Sequence, residues 1–243
     1  RRLAERWNVP HTVIDVPHEC GEDAVAYVAD QLRAAPGDCE DVLTEALEEL
    51  LPAEGSCLVV GLGNEAVTPD AVGPEALRNL IVTRHLKRTM PEVFAPFSTV
   101  SAIAPGVLGT TGMESAELLA AAVRQIQPDA VIAVDAVASC EPERLCAAVQ
   151  LSTAGITPGS GVGNARAAID RTTLGVPVLA IGAPTVMDLG GYGTKEGTIP
   201  DGMILTPRDI DAKIRLLGRW IGLGIDLALH EGLDVETAES FLA

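Results

Sequence analysis

The sequence predicts an α/β protein built on a mainly parallel sheet flanked by helices. Short apolar runs such as Cys57 to Gly61 and Ala130 to Val134 are bounded by Gly, Pro and polar residues, which is typical of strands buried on both faces of a parallel sheet. Helix-like segments separate these runs, and an alternation of strand and helix indicates right-handed crossovers. A chain of 243 residues that is 47% hydrophobic is long enough to bury a full core. We therefore expect a single domain.

The first half of the chain contains five predicted elements. Composition rich in Ala, Leu and Glu predicts two early helices, which Pro36 and Gly37 separate, and Pro74 suits the first turn of a later helix. The predicted elements are a strand at 12–16, helices at 23–34 and 41–51, a strand at 57–61 and a helix at 73–86.

The second half continues the alternation. The predicted elements are strands at 98–103 and 130–134, a helix at 114–125, strands at 147–152 and 176–181, and a helix at 207–230. Four glycines within 188–197 predict a mobile loop. The final helix is apolar on nearly all sides, which indicates burial. We expect another subunit to cover the side of this helix that carries Trp220 and Leu223.

Composition restricts the partners and the compartment. The chain has 34 acidic and 17 basic residues, for a formal charge of −17, which opposes binding to nucleic acid phosphates or anionic lipids. Its five cysteines include no Cys-x-x-Cys pair and its histidines are scattered, so we expect a reducing compartment and no structural zinc. No apolar run approaches the roughly 18 residues that a membrane span needs. These features predict a soluble cytoplasmic protein that binds neither nucleic acid nor membrane.

Two aspartates that follow predicted strands are the best indication of function. Asp70 follows the strand 57–61 through a short turn, and Asp135 comes directly after Val134. Because the chemistry of parallel sheets sits beyond the carboxyl ends of the strands, the two acids can meet in one crevice. Two close carboxylates can share one proton, so that one activates water and the other protonates. They could also hold a metal through oxygen ligands, and either aspartate alone suits a helix N-cap.

Two glycine-rich motifs partly match known nucleotide-binding motifs. The run from Gly61 to Ala66 matches Gly-x-Gly-x-x-Gly/Ala, yet no acid follows about 20 residues on to contact a ribose, which argues against dinucleotide binding. The turn from Pro158 to Asn164 lacks the Lys-Ser/Thr ending of a P-loop, so ATP chemistry is not expected. Its backbone N–H groups could instead form a nest for an anion or a substrate carbonyl.

The chain carries a series of longer motifs, in order, at 61–64, 67–71, 82–86, 100–107, 128–136, 158–164 and 174–186. These motifs resemble those of the germination proteases of spore-forming bacteria, endopeptidases that degrade small acid-soluble spore proteins. The resemblance covers roughly 55–188 and, more loosely, 205–211 and the C-terminal helix within 203–243, whereas residues 1–54 match poorly.

The resemblance implies an endopeptidase whose catalytic pair is Asp70 and Asp135, and a fold like that of hydrogenase-maturation endopeptidases, whose acids at comparable positions contact a metal. We expect no cofactor and no metal in this chain, because no His motif supplies a third ligand. The resemblance also implies a homotetramer, made as a zymogen, that acts on small acid-soluble spore proteins in the cytoplasm of the spore core. We further expect Asn64, Ser160 and Gly161 to bind substrate. Two alternatives stay open. A metal-dependent maturation-type peptidase needs a third ligand beside the aspartates, and a non-catalytic binding or assembly member predicts aspartates that are far apart or act as caps.

Overall fold

The computed structural model describes residues 11–12, 26–29, 37–51, 55–139, 141–160, 163, 166–189, 193–194, 197–200 and 202–242. The strands are β1 (His11–Thr12), β2 (Ala26–Ala29), β3 (Ser56–Gly61), β4 (Thr99–Ile103), β5 (Ala130–Ala138), β6 (Val149–Ser152), β7 (Val178–Asp188), β8 (Gly193–Thr194), β9 (Gly197–Thr198) and β10 (Ile204–Leu205). The helices are α1 (Gly37–Leu50), α2 (Val72–Arg78), α3 (Arg84–Thr89), α4 (Leu108–Thr111), α5 (Ser115–Ile126), α6 (Arg171–Leu174), α7 (Ile210–Leu229) and α8 (Val235–Leu242), and Thr68–Asp70 and Pro142–Arg144 form 3₁₀ turns.

An eight-stranded sheet lies at the centre of the described part of the chain. Its order is β1-β2-β6-β7-β5-β3-β4, and β10 pairs with β7. The strands β4, β3, β5 and β7 are parallel neighbours, whereas β6, β2, β1 and β10 join by antiparallel pairing. The predicted α/β class with a mainly parallel sheet is confirmed. We call the edge at which the four parallel strands end the carboxyl edge.

Helices cover both faces of this sheet. Side chains such as Val59, Ile132 and Ile181 form a core with α1, α2 and α7 on one face, whereas Leu58 and Val131 pack with α5 and α6 on the other. Successive strand residues point to opposite faces, so each central strand is buried on both sides. That burial explains why these strands are unbroken apolar runs.

The close contact of α2 with the sheet depends on a glycine. A Cβ atom added to Gly73 would lie 2.3 Å from the carbonyl oxygen of Leu62 and 2.5 Å from that of Val134. Gly73 therefore allows the first turn of α2 to rest directly on the ends of β3 and β5. The 3₁₀ turn Thr68–Asp70, which precedes α2, is held at the carboxyl edge, where it contacts β5, β7 and α7.

Several predicted elements differ from the structure. The helix predicted at 23–34 is wrong where the structure describes it, because Ala26–Ala29 form β2 and pair with the edge of β6. Pairing with β6 outweighs the helix propensity of these residues, because strand formation depends on a backbone partner and on the neighbouring side chains. The helix predicted at 73–86 divides into α2 and α3. Of the strand predicted at 12–16, only residue 12 lies within the described ranges, where it belongs to β1.

The central strands β5 and β7 also extend beyond their predicted ends. β5 continues to Ala138 and β7 continues to Asp188. Asp135 therefore lies within a strand, near its carboxyl end, rather than after it. The apolar runs predicted the buried middle of each strand and missed the ends, where the residues become mixed in character.

The long helix α7, which α8 follows in the chain, is covered by its own chain. Trp220 is 4% exposed and Leu223 is 1% exposed; Trp220 belongs to the core beneath α1 and α2, and Leu223 packs against α8 through Ala238. The expectation that a second subunit covers these two side chains is therefore wrong. It failed because α1 and α8 supply the covering elements that the sequence pattern did not assign to this helix.

Candidate active site

Asp135 is a buried carboxylic acid near the carboxyl end of β5. Only 4% of its surface is exposed, and its Oδ1 accepts a hydrogen bond from the N–H of Ala136 at 2.9 Å. Burial, and to a smaller extent the negative charge of Asp70, raise the pKa of Asp135 to about 8, and the hydrogen bond from the Ala136 N–H opposes this shift. Asp135 therefore holds a proton at neutral pH, which is uncommon for an aspartate.

Asp70 is placed by the turn that leads into α2. Its Oδ2 accepts a hydrogen bond from the backbone N–H of Asn64 at 2.8 Å. Gly63 has a φ of +113° and carries no side chain, whereas a Cβ there would lie 1.9 Å from the carbonyl oxygen of Asp70. Burial raises the pKa of Asp70, and the Asn64 N–H opposes this rise. Asp70 is thus the more readily ionised of the two acids.

Neither aspartate serves as a helix N-cap. The N-cap of α2 is Ala71, and Asp135 lies within β5. Instead, the charge of Asp70 acts on the carboxyl of Asp135, so the two groups share one electrostatic environment. A pair of this kind binds one proton tightly and can donate from one member while the other accepts. Among the residues that the structure describes, no group of three or more His, Cys, Asp or Glu side chains is arranged to hold a metal ion.

The three expected substrate contacts have different outcomes. Asn64 lies beside Asp70, but its side-chain oxygen accepts the N–H of Ala66 at 3.0 Å in a local turn, while its backbone holds Asp70. Ser160 is exposed in a turn where its N–H donates to Thr157, and no hydrogen bond within the described ranges joins it to either aspartate. Gly161 lies outside the described residues. Substrate binding by these three residues stays a prediction.

Sequence reasoning missed a second buried acid, at the opposite edge of the sheet. Asp226 on α7 is fully buried, and both of its carboxylate oxygens accept the N–H of Ile81 at 3.0 Å. His230 lies one turn further on, with Nε2 3.9 Å from Asp226 Oδ1, and its Nδ1 accepts the N–H of Ser98 at 3.2 Å. An Asp and a His four residues apart within an otherwise apolar stripe are the signal that could have indicated this pair.

Comparison with known proteins identifies the family. A family model described as germination protease matches residues 29–194. The chain belongs to the germination protease family. The germination protease of Clostridium perfringens (strain SM101 / Type A) is 38% identical over 242 residues, a match that covers 83% of this chain and 74% of that protein. The germination protease of Caldanaerobacter subterraneus subsp. tengcongensis is 41% identical over 233 residues, covering 79% and 72%.

A relative from Bacillus subtilis (strain 168), also a germination protease, is 53% identical over 144 residues, which make up 58% of this chain and 39% of that protein. Among solved structures, the chain is similar to a hydrogenase maturation protease, HycI, from Thermococcus kodakarensis KOD1, with a TM-score of 0.45 and 16% identity over 74% of this chain and 98% of that one. Membership of the germination protease family makes the chain a peptidase. Within the described ranges, no helix has both the length and the apolar character required to cross a bilayer.

Proposed function

We propose that Asp70 and Asp135 form the catalytic pair of an endopeptidase that hydrolyses small acid-soluble spore proteins during germination. The observation that carries this proposal is the placement of two unequally buried carboxyl groups at the carboxyl edge of the sheet, where the charge of Asp70 helps to raise the pKa of the buried Asp135. The substrate is inferred from membership of the germination protease family. The expected compartment is accordingly the spore core.

The two acids differ in a way that suits opposite tasks. Asp70 accepts the Asn64 N–H, a bond that favours the ionised carboxylate, and it is more open to solvent than Asp135. Asp135 is enclosed, so its neutral form is favoured. Asp70 is therefore the general base and Asp135 the general acid, which is the division that two unequal carboxyl environments produce in other hydrolases.

The reaction follows from these roles. Asp70 takes a proton from water while the water oxygen bonds to the carbonyl carbon of the peptide, and Asp135 gives its proton to the carbonyl oxygen. The tetrahedral intermediate then collapses as its C–N bond breaks and the amine receives the proton held by Asp70. Asp135 recovers a proton from the hydroxyl that becomes the new carboxyl group. Water is consumed, one peptide bond is broken, and the pair returns to its starting protonation state.

The test is cleavage of a purified small acid-soluble spore protein, followed by mass spectrometry. The unaltered chain should give discrete fragments, and Asp70→Asn and Asp135→Asn should each reduce the rate at least about 100-fold, because general acid–base groups contribute about 10²–10⁴. Asp211→Asn, which alters an exposed aspartate in the first turn of α7, is the matched control and should cleave normally. Near-normal turnover by either pair variant would remove that residue from the mechanism.

The family resemblance also supports a homotetrameric assembly and synthesis as a zymogen, and both stay predictions. The apolar character of α7 does not support the assembly, because its Trp220 and Leu223 are already buried within the chain. Light scattering of the purified chain at micromolar concentration measures the assembly directly. A monomer at that concentration would contradict it.

A further inference from the structure

Val67 is an exposed apolar residue on the turn that carries Asp70. It is 48% exposed, and it belongs to none of the apolar cores that the described residues form. It occupies the N-cap position of the 3₁₀ turn Thr68–Asp70 and makes no side-chain capping hydrogen bond. A threonine would keep the branched shape and could also cap the turn. Neither core packing nor capping therefore accounts for a valine at this position, and its apolar surface is available to a ligand.

Three hydrogen bonds fix Val67 beside the carboxylate of Asp70. The N–H of Asn64 donates to Oδ2 of Asp70 at 2.8 Å. The N–H of Val67 donates to the carbonyl oxygen of Asn64 at 3.0 Å, and the N–H of Asp70 donates to the carbonyl oxygen of Val67 at 2.8 Å. These bonds form a closed ring of three residues. The Asp70 carboxylate and the Val67 backbone are therefore separated by no more than one residue and two hydrogen bonds, roughly 10 Å.

The charge nearest to Val67 in the turn is balanced by the helix α2. Glu65 pairs with Arg78 of α2, with 3.4 Å between its Oε1 and the guanidinium Nη2. The two residues that follow Glu65, Ala66 and Val67, are both exposed, so the turn presents an apolar surface before it reaches Asp70. An apolar substrate side chain placed on this surface would exclude water from the valine and from the neighbouring carboxylate.

The distance between Val67 and Asp70 fits a few residues of an extended substrate. The water that attacks the scissile bond must lie within about 3.2 Å of the Asp70 carboxylate, which places the scissile bond beside the turn. An extended peptide advances about 3.4 Å per residue, so three residues cover the distance of roughly 10 Å. A substrate residue within three positions of the scissile bond can therefore place its side chain against Val67.

We infer that Val67 is a specificity-determining residue, which contacts an apolar side chain of the substrate within three residues of the scissile bond. This inference rests on the proposed function of the aspartate pair and adds the chemistry of one substrate position. Val67 takes no part in bond breaking, and Asp70 and Asp135 carry out the proton transfers. The contact removes apolar surface from water when the substrate binds. Its effect is measured as a ratio of kcat/KM between two substrates.

The test is a panel of peptides based on the first bond that the unaltered chain cuts in a small acid-soluble spore protein. Each of the three positions on either side of that bond is changed in turn to leucine or glutamate. The unaltered chain should prefer leucine at one position by at least about 10-fold in kcat/KM. Val67→Thr keeps the branched shape and should reduce this preference about 3- to 5-fold. Val67→Lys should reverse the preference in favour of glutamate, because the new ammonium group attracts a carboxylate.

Val93→Lys is the matched control. Val93 is 66% exposed and lies between α3 and the start of β4, so this variant should keep the preference for leucine. The ratio between two peptides cancels any uniform effect of the new charge on Asp70, and thermal melting establishes that each variant is folded. An unchanged preference at every position in Val67→Lys, or an equal loss on every peptide, would overturn the inference and leave the aspartate pair in place.

A binding measurement separates the role of Val67 from the proposed chemistry. Asp135→Asn should bind the fluorescently labelled leucine peptide without cutting it, and fluorescence anisotropy measures this affinity. Adding Val67→Lys to Asp135→Asn should weaken the affinity at least about 10-fold. Normal cutting by Asp135→Asn would contradict the aspartate pair alone, and an unchanged affinity in the double variant would contradict the role of Val67 alone. Absence of cleavage by the unaltered chain would overturn both proposals.

Discussion

The two aspartates of the candidate active site have the same chemistry and unequal surroundings. Asp135 is almost fully enclosed, whereas Asp70 lies in a turn with partial access to solvent. Burial is the larger cause of the raised pKa of Asp135, and the charge of Asp70 is the second. Replacing Asp70 with asparagine removes its negative charge and leaves the burial of Asp135 unchanged, because an asparagine has nearly the same shape as an aspartate.

We expect Asp70→Asn to lower the pKa of Asp135, because the neighbouring negative charge disappears while the burial persists. Carbon-13 NMR of labelled aspartate carboxyls measures this titration without reference to activity. In the unaltered chain the two titrations belong to the pair as a whole. The control Asp211→Asn should leave the pKa of Asp135 unchanged. If Asp70→Asn also left the pKa of Asp135 unchanged, the two carboxyl groups would not interact.

The role of Gly63 in positioning Asp70 can be tested separately from the chemistry of the two aspartates. In Gly63→Ala, the new Cβ would lie 1.9 Å from the carbonyl oxygen of Asp70, so the turn must shift, and we expect the Asn64 hydrogen bond to Asp70 to lengthen. Cleavage should fall at least about 10-fold, because small displacements of a catalytic group are costly. The measurement is kcat alongside the thermal midpoint of unfolding.

Gly175→Ala is the matched control for this change. Gly175 has a φ of +76°, and no atom lies within 4 Å of an added Cβ. The alanine substitution therefore introduces backbone strain of about 1–2 kcal/mol without a clash. Both variants should lose stability, and only Gly63→Ala should lose activity. Equal activity in the two variants would show that the turn tolerates the displacement.

Sequence reasoning found both aspartates because functional groups in parallel sheets lie beyond the carboxyl ends of the strands. It did not find the contact between Gly63 and the Asp70 carbonyl, since the two residues meet only after the turn has folded.

At the scale of secondary-structure elements, dependence on a distant partner also explains why the helix predicted at 23–34 is wrong. Residues 26–29 have a composition that helices tolerate, and their strand conformation depends on the open edge of β6. The helix α5, by contrast, lies within one residue of its predicted bounds, and the structure shows that it contains its own start signal, a capping box between Glu114 and Glu117. Elements with local signals can be predicted, and elements formed by a distant partner cannot.

The helix α7 carries a buried acid whose titration should be visible in stability. Burial raises the pKa of Asp226 from about 3.8 to about 8 and lowers that of His230 from 6.5 to about 4. The folded chain therefore keeps a proton on Asp226 that the unfolded chain releases between pH 4 and 8, so this contribution to stability falls as the pH rises. His230 acts in the opposite direction only between pH 4 and 6.5 and is constant above that window.

We expect the thermal midpoint of unfolding to fall between pH 6.5 and 8.5, with a shallower fall in Asp226→Asn. Each proton kept only by the folded chain contributes about 1.4 kcal/mol per pH unit, and Asp135 supplies a second such proton. The asparagine oxygen can still accept the Ile81 N–H. Asp211→Asn should melt with the slope of the unaltered chain, and an identical slope in Asp226→Asn would show that Asp226 is already ionised.

For the molecule as a whole, a catalytic pair that works by proton transfer predicts that cleavage needs no metal ion. The cleavage rate should be unchanged by EDTA, since neither step of the proposed reaction requires a Lewis acid. The measurement is the rate of fragment formation before and after dialysis against the chelator. Complete loss of cleavage, restored by a single divalent metal, would favour the maturation-type metallopeptidase alternative.

The contact between the 3₁₀ turn of Asp70 and the helix α7 also has a consequence for biosynthesis. Asp70 precedes Ile210, the first residue of α7, by 140 positions in the chain. The ribosome therefore releases both aspartates long before it releases the helix against which the turn packs. An emerging chain therefore carries both aspartates of the proposed pair before it has the helix that supports their turn, and we expect competence to cut peptide bonds only after α7 has been made.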